Sequence, residues 1–67
     1  MEIKFQRSLT QEEQEKVRLY VGFYRGISCF KEDDLVEITP KEGFAGNEFL
    51  ATLKTIRIPI KNVNVQY

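Results

Sequence analysis

The chain has 67 residues, with ten basic and ten acidic side chains, one cysteine and no histidine. That length fits one small domain over residues 1–67, and a zero net charge argues against a protein that coats nucleic acid or an anionic membrane by bulk charge. Without histidine the commonest general base and metal ligand are missing, and a single cysteine leaves no disulfide framework within the chain.

Glu2 to Gln6 alternates, with Ile3 and Phe5 on one side and Lys4 and Gln6 on the other. This pattern predicts a short, half-buried strand. Thr10 followed three residues later by Glu13 is a capping-box signature, and Glu12, Glu13 and Glu15 place negative charge at the positive end of a helix dipole. Val17, Tyr20, Val21 and Tyr24 then recur at helical spacing, with Leu19 and Phe23 widening the face. One amphipathic helix is expected from Thr10 to Arg25, stopped by Gly26. Ile27 and Phe30 are expected to fold back onto it, with Cys29 as a small core residue between them.

Lys31-Glu32-Asp33-Asp34 reads as a charged turn. Leu35 to Thr39 is a second strand, ended by Pro40. Lys41 to Asn47 is a loop punctuated by Gly43 and Gly46. Phe49 to Thr55 alternates as a third strand, and Thr55 to Ile60 as a fourth, with Ile56, Ile58 and Ile60 facing the helix. Val63, Val65 and Tyr67 continue the alternation. The order β-α-β-β-β predicts an α+β domain: one helix packed on a four-stranded, mostly antiparallel twisted sheet.

Residues 33 to 65 carry a Leu35-Val36-Glu37-Ile38 strand after an acidic turn. A Gly46-Asn47-Glu48-Phe49 step then leads into Leu50-Ala51-Thr52-Leu53, and an Ile58-Pro59-Ile60-Lys61-Asn62-Val63 segment closes the stretch. This half of the chain resembles the small SH3-type barrels, including Tudor and Agenet modules. The resemblance implies a sheet curled into a partial barrel.

No activated nucleophile, base or metal set can be assembled from these residues, so a non-enzyme is expected, with no cofactor. Phe44 lies between two glycines in a loop, flanked by Lys41 and Glu42, and loop aromatics serve as interface anchors. A binding module acting through protein–protein contact, as a regulator or accessory factor, is the favoured function. Phe44 can instead fold under and cap the core. The alternative function is nucleic-acid binding through an outward row of Lys54, Arg57 and Lys61. A homodimer is a further expectation for so small a domain. The N-terminus has no signal-peptide core and the chain has no apolar run long enough to span a bilayer, which with a lone cysteine suggests a reducing, cytoplasmic setting.

Overall fold

The computed structural model describes residues 1–65; Tyr67, which the alternation joins to Val63 and Val65, lies outside them. The elements are β1 (Glu2–Phe5), α1 (Gln11–Phe23), β2 (Gly26–Glu32), β3 (Leu35–Pro40), α2 (Gly46–Thr55) and β4 (Ile60–Asn64). The strands form one antiparallel sheet in the order β2-β3-β1-β4. Each half of the chain is a β-α-β unit whose two strands are separated by a strand of the other half. This is the doubled split β-α-β topology of ferredoxin-like folds.

The α+β class and the four-stranded antiparallel sheet agree with the sequence reading. The details differ in one large respect. Gly46–Thr55 is a helix, where alternation suggests a strand from Phe49. Phe49 and Leu53 are four apart and both buried, so they share a helix face, whereas Ala51, which a strand would bury with them, is exposed. The fourth strand correspondingly starts at Ile60. Ile56 caps α2, and Ile58 is buried in the connection that follows. The sheet is open, with β2 and β4 at its edges, so the barrel implied by the SH3-type resemblance does not form.

α1 forms as its sequence predicts. Thr10 is the N-cap: Glu13 donates its backbone N–H to Thr10 Oγ1 at 3.2 Å, and Thr10 donates its own to Glu13 Oε1 at 3.0 Å. The left-handed residue that ends the helix is Arg25 (φ 68°) rather than Gly26. Gly26 is glycine for space: a Cβ there would lie 3.0 Å from both Phe44 Cε1 and Val21 Cγ1.

Both helices cover one face of the sheet. Ile3, Phe5, Val36 and Ile38 from the strands meet Val17 and Val21 of α1 and Phe49 and Leu53 of α2. Buried Gln14 joins α1 to the β2–β3 turn, donating to Leu9 O at 3.1 Å and Asp33 Oδ1 at 3.2 Å. Cys29 and Ile27 depart from the sequence reading. Both are exposed on the uncovered face, because Ser28 and Phe30 take the alternate, inward positions of β2. Leu19 and Phe23 are likewise exposed, at 68% and 73%, since α1 turns Val17 and Val21 to the sheet instead.

Candidate functional site

The β3–α2 connection is a tight, anchored turn. Lys41 donates its N–H to Arg25 O at 3.0 Å, Phe44 to Lys41 O at 3.1 Å, and Ala45 to Tyr24 O at 3.1 Å. Gly43, at φ 81°, supplies the left-handed residue this turn needs. Two of those bonds fasten the turn to the end of α1. Phe44 is thereby directed inward. It is half-buried, packed against the core, with its ring 6.4 Å from that of Phe49. A Cβ on Gly46 would sit 3.2 Å from Phe44 Cε2, so the glycines on either side of the ring, Gly26 and Gly46, both make room for it.

The outward side of Phe44 forms one wall of a groove of about 450 Å³. Pro40 and Lys41 border it at the end of β3, Gly46, Asn47 and Leu50 on the first turns of α2, and Met1 and Val65 beside the sheet. Most of this lining is apolar. Lys41 is its only charged side chain, is exposed, and makes no ion pair among the described residues. α2 opens onto the groove with Ala45 at its N-cap and no side-chain cap, which leaves backbone N–H groups of its first turn without a side-chain acceptor, although Glu48 supplies an acidic residue in that turn.

Of the loop residues singled out in the sequence, Phe44 and Lys41 therefore meet in one groove, and exposed Glu42 is outside its lining. Sequence reasoning misses Leu50, Met1 and Val65. Leu50 becomes visible only once 46–55 is read as a helix, and Met1 and Val65 are brought to the groove by long-range strand pairing.

Lys54, Arg57 and Lys61 do not form a row on a sheet face. Lys54 is in the last turn of α2, Arg57 is the left-handed residue after it (φ 63°), and Lys61 is on β4. All three are exposed. The uncovered sheet face carries ion pairs instead. Lys31 Nζ lies 2.7 Å from Glu37 and 3.3 Å from Glu2, and Lys4 Nζ lies 2.8 Å from Asp34. Hydrogen bonding to these carboxylates raises the pKa of both lysines, and the lysines in turn lower those of Glu37 and Asp34. The acidic turn is thus occupied within the fold: Asp34 pairs with Lys4, and Asp33 accepts from Gln14.

No helix among the described residues is long and apolar enough to cross a membrane. Comparison of the chain with protein-family models, with curated proteins and with solved structures finds no match.

Proposed function

We propose that the chain is a non-catalytic binding module, a small regulator or accessory factor. It docks a protein segment that carries an apolar side chain next to a carboxylate. The observation that carries this reading is the groove beside Phe44, whose apolar walls are joined by Lys41 as the only charged side chain among the described residues. Apolar side chains of a partner gain by leaving water against Phe44, Leu50 and Val65. A carboxylate near Lys41 and the open end of α2 gains charge pairing and fixes the orientation. Leu50 and Val65 project from a helix and from the end of a strand, so the lining is held largely preformed. Exposed Cys29, with no second cysteine to pair with, fits a reducing compartment such as the cytoplasm.

Selection from a randomised displayed-peptide library tests this. Enriched peptides are expected to place an aliphatic or aromatic residue within a few positions of Asp or Glu. Leu50→Asp is expected to abolish the enrichment, and Lys41→Glu to remove the acidic preference. Enrichment no greater than that of the folded Leu50→Asp variant would overturn the proposal.

Nucleic-acid binding is the less supported reading. Among the described residues the uncovered sheet face presents no aromatic ring on which a base could stack, and its lysines are engaged with carboxylates. A salt-dependent mobility shift with labelled single-stranded RNA, lost on neutralising Lys54, Arg57 and Lys61, would favour it instead.

A further inference from the structure

We infer that the outward face of α1 is a self-association surface, on which a second copy of this chain packs its own α1 antiparallel. At 100° per residue, Glu12, Glu15, Lys16, Leu19, Gly22 and Phe23 fall on one arc of the helix, and all of them are exposed. The first half of that arc is charged. The second half is apolar, with Leu19 and Phe23 at 68% and 73% exposure, one helical turn apart.

Gly22 lies beside them on the same arc. A Cβ there would meet nothing within 4 Å, so no contact inside the domain calls for a glycine, although glycine weakens a helix interior. What it supplies is a shallow hollow next to two large apolar side chains. A neighbouring helix can seat a side chain there.

The charge pattern selects the occupant and its direction. Glu12 and Glu15 lie toward the start of α1, and Arg25 follows its end; none of the three forms an ion pair among the described residues. Antiparallel overlap of the two apolar halves sets Leu19 of one copy against Phe23 of the other. It also runs the acidic start of one α1 toward the end of the other, where Arg25 follows the helix with its side chain beside Gly43. Parallel overlap would set like charges together. The chain has no net charge to oppose self-association, and a domain this small gains from sharing apolar surface. The contact uses none of the groove residues, so it stands or falls apart from the peptide-binding reading.

Sedimentation equilibrium on the full chain tests the inference, with circular dichroism to confirm that each variant is folded. A concentration-dependent dimer is expected. Phe23→Lys and Gly22→Gln should each weaken it by at least about tenfold while leaving the domain folded. Glu15→Arg and Arg25→Glu should each weaken it, and the two together should restore it. A monomer up to millimolar concentration, a dimer indifferent to Phe23→Lys, or a charge-swapped pair that fails to recover would overturn the inference.

Discussion

Arg7 grips Glu13 with both prongs of its guanidinium. Nη1 donates to Oε1 and Nη2 to Oε2, each at 2.7 Å. The same Glu13 carboxylate accepts from the N-cap of α1, so one side chain ties the β1–α1 connection to the first turn of the helix. Chiefly through the Arg7 hydrogen bond, and next through the Thr10 N–H, its pKa is lowered to about 2 from an ordinary 4.5.

A pH dependence follows. Glu13 binds its proton less tightly folded than unfolded, so its contribution is complete above the ordinary value. It is lost as the pH falls from 4.5 through about 2. Arg7→Ala should raise the Glu13 pKa toward the ordinary value and flatten the loss of stability across that window. NMR titration of the Glu13 side chain, together with denaturant melts at several pH values, checks this; an unmoved pKa refutes the assignment of cause.

Phe44 is wedged between Gly26 and Gly46 and packed on the core. Phe44→Ala should therefore lower the thermal midpoint by several degrees, equivalent to about 2 kcal/mol, below the ~3–5 kcal/mol of a fully buried phenylalanine. A midpoint within a degree or so of the parent would mean that the ring is covered by a partner and not by the domain itself.

Two glycines should respond to alanine with opposite signs. At Gly22 the space is open, and Gly22→Ala should stabilise α1 by about 0.5–1 kcal/mol. At Gly26 the new Cβ would press on Phe44 and Val21 at 3.0 Å, and overpacking of that kind costs about 1–3 kcal/mol. Chemical denaturation of the two variants side by side decides it, and a shared sign would contradict the geometry.

Arg57 ends α2 in a left-handed conformation within a Schellman motif. Its N–H donates to Lys54 O at 3.1 Å, and that of Ile58 to Leu53 O at 3.0 Å. A side chain in this conformation is strained by roughly 1–2 kcal/mol, which glycine avoids. Arg57→Gly should leave the fold intact and stabilise it by up to about 1 kcal/mol, once the greater freedom of glycine in the unfolded chain is offset. A destabilised variant would show that the arginine side chain contributes more than its backbone costs.

α1 is legible because its start signal is written in side chains: Thr10 and Glu13 sit at the capping-box spacing and make both bonds. α2 carries no such signal. Ala45 offers no capping atom, the element is only 10 residues long, and Phe49, Ala51 and Leu53 satisfy strand alternation while Phe49 and Leu53 satisfy helical spacing. The groove is half legible for the same reason. The glycines around Phe44 mark a turn that holds an aromatic ring, and Lys41 is its near neighbour in the chain. Leu50 is concealed by the strand reading. Met1 and Val65 arrive through pairings such as Ile3↔Val63, which no local pattern encodes.

The strand order sets how the chain must assemble. β2 and β3 are joined by a short turn and can zip together locally, but β1 is flanked by β3 and β4, with Ile3 opposite both Val36 and Val63. The first strand of the chain thus waits for distant segments on both of its sides, and the entropy of closing those loops is lost before their contacts return anything. During synthesis one edge of β1 can pair once β3 has emerged, but the other stays unpaired until β4 follows, so a chain interrupted before β4 would expose that edge to any neighbouring strand.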